Sequence, residues 1–252
     1  MIKRLIALSM IMFVSTTSSF AASSLEKEIK TDLTSFNGKV GVFAKNLKTG
    51  RSYRFKDDDV FPAASTSKLI VSLATYKYLY PAAPKEKKDE YDYGVNVMMT
   101  VSDNEYFSAF LSEFDDRNRN ELAKTVKDLG LRKTQIHSES AFNRYQYHSV
   151  TTAYEMGRVL ETIYRDKYIA KDKTRLMKHE LRNSIFQDEI PRHMETPVVH
   201  KIGQLNNVLC DVGIIEDGHA PILVSVYTLT DDESYASDFI ATIAAKLYNA
   251  LR

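Results

Sequence analysis

Segments rich in β-branched residues lie at the two ends of this chain, and segments with helical spacing fill the middle. That order restricts the fold more than any other feature. Residues 40–44 and 52–55 read as strands around a turn at 46–50 that contains Thr49-Gly50, which predicts a hairpin. Residues 197–201, 207–215 and 221–229 predict three further strands. Between them, residues 65–80, 101–114, 118–129, 151–164 and 171–182 repeat apolar side chains at helical spacing, and 24–36 and 235–251 predict a helix at each end. A two-stranded hairpin cannot bury a face alone, so it must join the C-terminal strands in one antiparallel sheet. The terminal helices then cover one face of that sheet. The predicted class is α/β (α+β), with residues 22–57 plus 197–252 as the sheet domain and 58–196 as an inserted helical domain. A chain of 252 residues with 44% apolar content has enough material for such a core.

Residues 1–21 read as a signal peptide. Lys3 and Arg4 form a positive start, residues 5–14 are an apolar run too short to span a bilayer, and Ser19-Phe20-Ala21 offers small residues for cleavage after Ala21. No cysteine lies there to carry a lipid anchor. The expectation is therefore an exported monomer, periplasmic or secreted, with no membrane anchor after cleavage. Removal of Lys3 and Arg4 takes the formal net charge from +1 to −1. Neither a basic stripe nor a charged tail is present, so nucleic acid is not an expected partner. The Lys85 to Lys88 run reads as a solvated loop. Cys210 is the single cysteine and sits in an apolar run, so it reads as a small buried hydrophobe, and no internal disulfide is available. The six histidines lack paired helical spacing, so no metal site or cofactor is expected.

Three short segments carry chemistry. Ser65-Thr66-Ser67-Lys68 places a serine and a lysine one helical turn apart, on one face, where a loop runs into the apolar segment Leu69-Ile70-Val71. A lysine beside a serine hydroxyl activates it only if surroundings suppress the lysine's own charge. Ser102-Asp103-Asn104 and His200-Lys201-Ile202-Gly203 follow in that order. Ser-x-x-Lys, Ser-Asp-Asn and Lys-x-Gly in sequence order are the motifs of penicillin-binding proteins and class A β-lactamases. On these residues, over essentially the whole chain after the leader, the sequence resembles the serine β-lactamase family, class A branch.

The resemblance implies a five-stranded antiparallel sheet flanked by helices, with an inserted all-helical lobe and the active site between the two lobes. It implies hydrolysis of the lactam amide bond through an acyl-enzyme on Ser65. Lys68 would share the Ser65 proton, and Ser102 with Lys201 would pass a proton toward the leaving nitrogen. Asn104 would hold Lys68 and the substrate side-chain amide, while Asp103 reads as structural within its own turn. By position, the backbone N–H groups of Ser65 and of Gln204, which follows Gly203, would form the oxyanion hole. Glu139 and Asn143, in Glu139-Ser140-Ala141-Phe142-Asn143, take the positions of the family's deacylation base and its water-holding partner. Here Ser140 replaces the proline that usually follows that glutamate, at a bond commonly cis in the family.

Two departures bear on substrate. Ile202 replaces a hydroxyl residue that helps bind the lactam carboxylate, and Leu209 and Cys210 stand where an arginine is often found. Arg192 or His193 are candidates to supply the missing cation. Weak or narrow activity on common penicillins follows, because charge-assisted hydrogen bonds are the strong ones. Three readings stay open: a class A-like β-lactamase; a related cell-wall serine peptidase or esterase, or a slowly deacylating penicillin-binding protein; and a non-catalytic binding or sensor module. The expected ligand is a small β-lactam or a cell-wall peptide.

Overall fold

A computed structural model describes residues 12–116 and 120–252. Along the chain, α1 (Met12–Ser35) leads to the hairpin of β1 (Lys39–Asn46) and β2 (Ser52–Phe55). A short strand β3 (Phe61–Pro62) precedes a 3-10 turn (Ala64–Thr66) and α2 (Ser67–Ala74). The middle continues through α3 (Lys85–Thr100), α4 (Glu105–Asp116), α5 (Glu121–Asp128), α6 (Glu139–Tyr145), β4 (Val150–Thr151), α7 (Ala153–Tyr164) and α8 (Lys171–Arg182). The chain closes with β5 (Val198–Leu205), β6 (Val208–Ile215), β7 (Ile222–Leu229) and α9 (Glu233–Leu251).

The sheet has the order β2-β1-β7-β6-β5, every neighbour antiparallel. The N-terminal hairpin therefore docks on the last strand, β1 against β7, from Lys39 opposite Leu229 to Asn46 opposite Ile222. Side chains alternate between faces. Val40, Val42, Val198, Ile202, Val224 and Val226 pack with Ile29, Leu33, Ile240 and Leu247 of α1 and α9. Phe43, Val199, Val212 and Tyr227 pack on the other face with α2, α3 and α7. Because both faces are covered, β6 is buried at every position and reads as a continuous apolar run rather than an alternation. All eight residues of α2 are buried too, so this helix runs through the core rather than along its surface.

Several local expectations change. The Lys85 to Lys88 run is the first turn of α3, not a loop. Pro84 sits just before it, Lys85–Asp89 and Lys87–Glu90 pair along its exposed side, and Tyr91, Val95, Met98 and Met99 bury the other. Gly94 of α3 meets α4, where an added Cβ would stand 2.5 Å from the Phe110 ring. The helix predicted from residue 101 begins at Glu105, because Ser102 takes a left-handed φ of 58° that no helix continues through. The small pair β3–β4, Phe61 opposite Thr151, has no sequence signature at two residues per strand. Of the predicted leader 1–21, residues 1–11 lie outside the described residues, and α1 runs through the predicted cleavage point. Among the described residues, no helix is long and apolar enough to cross a membrane.

Candidate active site

Ser65 sits in the 3-10 turn directly ahead of α2, after Ala64, whose φ of 44° is left-handed. The turn aims the Ser65 hydroxyl back along the first turn of α2, where Lys68 follows three residues later. Lys68 Nζ donates to Ser65 Oγ at 2.7 Å and to Asn104 Oδ1 at 2.8 Å. The Phe107 ring lies 4.8 Å from the same nitrogen. Only 1% of Lys68 is exposed, and burial pushes its ammonium down to about 8, against the opposing pull of Asp103.

Ser102 comes from the junction between α3 and α4. Asp103 Oδ1 accepts the Tyr106 N–H at 2.8 Å and so caps α4, in keeping with a structural role. Lys201 reaches the junction from β5, 99 residues further on: its Nζ donates to Ser102 Oγ and to the Ile202 carbonyl, both at 2.9 Å. Lys201 is fully buried, and burial first, then the positive charge of Lys68, push it down to about 7, while Asp211 and Cys210 pull upward. The site residues thus form a cluster of two hydrogen-bonded arms, Ser65–Lys68–Asn104 and Ser102–Lys201, joined through the segment Ser102-Asp103-Asn104. Both positive-φ residues of the site, Ala64 and Ser102, directly shape it, which is where backbone strain concentrates in functional sites.

Gly203 closes the arrangement. A Cβ built on it would lie 2.8 Å from Cys210 Sγ and 3.0 Å from both Ala64 Cβ and the Ser65 backbone nitrogen. The end of β5 therefore runs against the Ser65 turn as only a glycine permits, and it brings the exposed Gln204 to the same side of the site. Cys210 is buried, donates to the Gly203 carbonyl at 3.3 Å, and has its thiol pushed far up by burial, so it is inert packing.

Glu139 and Asn143 are not part of this cluster. Glu139 is the first residue of α6, its side chain is 82% exposed, and its carboxylate lies 3.5 Å from His148 Nδ1. Asn143 and Phe142 are exposed as well, and the Phe142 ring stacks on His148 at 4.5 Å rather than entering a core. The bond between Glu139 and Ser140 is trans. The motif spacing suggested a base facing Ser65. Instead the segment closes into a short helix capped by Ser138, which turns Glu139 toward solvent. On α7, the buried Glu155 accepts the Arg132, Lys133 and Thr134 N–H groups and is committed to that turn.

The candidate cations are also placed elsewhere. Arg192 pairs with Asp238 and donates to Ser237 Oγ of α9 at 2.8 Å, and His193 is exposed. Ile202 and Leu209 are buried in the core beneath α9.

Sequence reasoning passed over one polar cluster. Behind Lys201, on the opposite sheet face, His200 Nδ1 lies 3.0 Å from each oxygen of buried Asp211, which also accepts the Ile190 N–H at 3.1 Å. Glu189 adjoins it and accepts from Ser237 Oγ at 3.0 Å. Burial, then the charge of Asp211, raise the Glu189 carboxyl to about 7. Only the pairing of Ile202 with Asp211 in the β5–β6 register brings these residues together, so no local pattern marked them. Folded Glu189 holds its proton more tightly than unfolded Glu189. Unfolding therefore releases a proton between about pH 4.5 and 7, and stability falls as pH rises through that window. Glu189→Gln is expected to flatten the pH dependence of the thermal midpoint there. An unchanged slope would remove Glu189 as its source.

Known proteins are similar along nearly the whole length. The sequence profile described as "Beta-lactamase enzyme family" matches residues 24–81 and 94–251. Among solved structures, PBP-A is 19% identical with a TM-score of 0.75, over 90% of this chain and 96% of that one. A mutant of PBP-A, solved as an acyl-enzyme complex with penicillin G, is 19% identical with a TM-score of 0.73, over 90% and 96%. The TLA-1 extended-spectrum β-lactamase is 18% identical with a TM-score of 0.76, over 91% and 98%. At these identities the likeness is one of fold. No curated protein matches the sequence.

Proposed function

Because the chain belongs to the beta-lactamase enzyme family, we propose that it is a serine hydrolase acylated on Ser65 by β-lactams or by cell-wall acyl-peptides, and that it releases the acyl group slowly. One observation carries this reading: a desolvated lysine amine 2.7 Å from the hydroxyl of a serine at the head of a buried helix. Lys68 in its neutral form takes the hydroxyl proton as Oγ attacks the acyl carbon. The backbone N–H groups of Ser65 and Gln204 receive the oxyanion. As the bond from carbon to the leaving nitrogen or oxygen breaks, the proton passes to that atom through Ser102 and Lys201. Asn104 holds the Lys68 amine in place. Water then completes hydrolysis of the ester.

The slow second step follows from Glu139. A general base must reach the water it activates, and a carboxylate 82% exposed and beside His148 activates bulk water only. Rapid lactam turnover, the class A reading, retains the support of the family and of the likeness to TLA-1, and it calls for a base other than Glu139. The acyl-enzyme held by the PBP-A mutant supports the slower course. The reading includes export by residues 1–21 and action as a monomer.

Incubation of the purified chain with benzylpenicillin, followed by intact mass, tests the proposal. A persistent adduct is expected, absent in Ser65→Ala. Glu139→Gln is expected to leave its decay rate within about twofold, since a solvated carboxylate outside the Ser65 cluster contributes little. A decay slowed tenfold or more in Glu139→Gln would restore the deacylation role to that residue.

A further inference from the structure

We propose that Ser65 prefers acyl donors whose leaving side carries no negative charge: neutral esters and amides, or lactams whose carboxylate is masked. This rests on the acylation chemistry above and adds the substrate class. The leaving group must stand beside Ser102 and Lys201, because they form the arm that carries its proton. That side of the site is apolar. The Phe186 ring centroid lies 5.9 Å from Lys201 Nζ and packs on the core that holds Ile202 and Leu209. Ile202 and Leu209, 6% and 4% exposed, pack beneath α9 on the sheet face opposite Lys201, so the two positions where the resemblance expects a hydroxyl and an arginine present no polar group beside it. The Ile185 N–H donates to the Thr100 carbonyl at 3.0 Å, which ties the loop carrying Phe186 to the segment leading into Ser102. There Ile185 and Val101 stand 64% and 45% exposed.

The two arginines that flank Phe186 in the chain are already engaged. Arg192 is bound to Asp238 and Ser237, and Arg182 to Glu216 at 2.8 Å. Lys201 Nζ directs hydrogens to Ser102 and to the Ile202 carbonyl. A carboxylate entering here would lose hydration against Phe186 with one ammonium hydrogen in return, and an anion removed from water without partners is strongly disfavoured. The amine of Lys201, pushed down to about 7, offers it little charge above neutral pH. A neutral leaving group has far less hydration to lose on the same wall.

Two matched pairs test this on the full chain: benzylpenicillin against its methyl ester, and the phenylacetyl ester of 3-hydroxybenzoate against that of methyl 3-hydroxybenzoate. The rate of Ser65 acylation is read by intact mass or phenol release, with Ser65→Ala subtracted. The neutral member of each pair is expected to react at least as fast as the acid. Phe186→Arg, and separately Ile185→Arg, are expected to shift the acid-to-neutral ratio toward the acid, by about tenfold for the first, which stands nearer Lys201. A faster reaction of the acid in either wild-type pair overturns the inference, whether or not the variants fold. If neither lactam reacts but the neutral ester turns over through Ser65, the lactam part of the proposed function falls and the inference stands. Loss of all Ser65-dependent acylation sinks both.

Discussion

Replacing Lys68 with methionine is expected to slow acylation of Ser65 by about 10²–10⁴-fold, the range a positioned general base supplies. Methionine keeps the length and apolar stem of lysine in a site that is 1% exposed, so packing against α2 and Phe107 is retained. The hydrogen bonds to Ser65 and Asn104 are lost. So is a partly charged group that burial disfavours, and thermal stability is therefore expected to hold or rise, as often happens when a site residue strained for function is replaced. The same burial predicts a pH profile. With Lys68 pushed down to about 8, the fraction of neutral amine grows as pH rises, and the acylation rate is expected to climb up to about pH 8 and then level. Lys68→Met should abolish that climb. A variant that retains the climb would assign the titration to another group, with Lys201 the first candidate.

Gly203→Ala is expected to lower acylation by about 10²–10³-fold, the loss that accompanies one missing oxyanion donor. The backbone at this position is not left-handed, so the difficulty is space alone. The new methyl would meet Cys210 Sγ at 2.8 Å and both Ala64 Cβ and the Ser65 nitrogen at 3.0 Å. Something must move, and two of the three neighbours belong to the turn that holds the nucleophile. A shift of β5 away from that turn separates the N–H groups of Ser65 and Gln204, whereas an oxyanion needs both at about 2.7–3.1 Å. Overpacking of this kind also costs about 1–3 kcal/mol of stability. A second substitution separates the two effects. Adding Cys210→Ala removes the sulfur contact and should recover part of the stability, but not the acylation rate, because the contact with the Ser65 turn remains. Recovery of both would place the damage at the sulfur and not at the oxyanion donors.

The three short motifs were legible because each is local. Ser65 and Lys68 share a helical turn, and Asp103 caps the helix that begins two residues later. The sheet was legible for a similar reason: β5, β6 and β7 are β-branched runs between turns, and the hairpin of β1 and β2 has no partner but them. Where the signal was short, reading failed. The charged run that opens α3 resembles a loop until its buried face, Tyr91, Val95 and Met98, is counted across the whole helix. The Glu139 segment has the spacing of a functional motif, but spacing does not say which way a carboxylate faces.

By itself, then, the order of residues determined which side chains were available and which elements would carry them, since periodicity and turn chemistry act over a few neighbours. Tertiary structure alone decided three things. It brought Lys201 to Ser102 across 99 residues and suppressed both lysine charges by burial. It set β5 against the Ser65 turn at the distance Gly203 allows. It turned Glu139 out to solvent, set the Phe186 ring beside Lys201, and buried Ile202 and Leu209 beneath α9. Desolvation, close approach and facing direction all depend on atoms distant in the chain, and no local pattern encodes them.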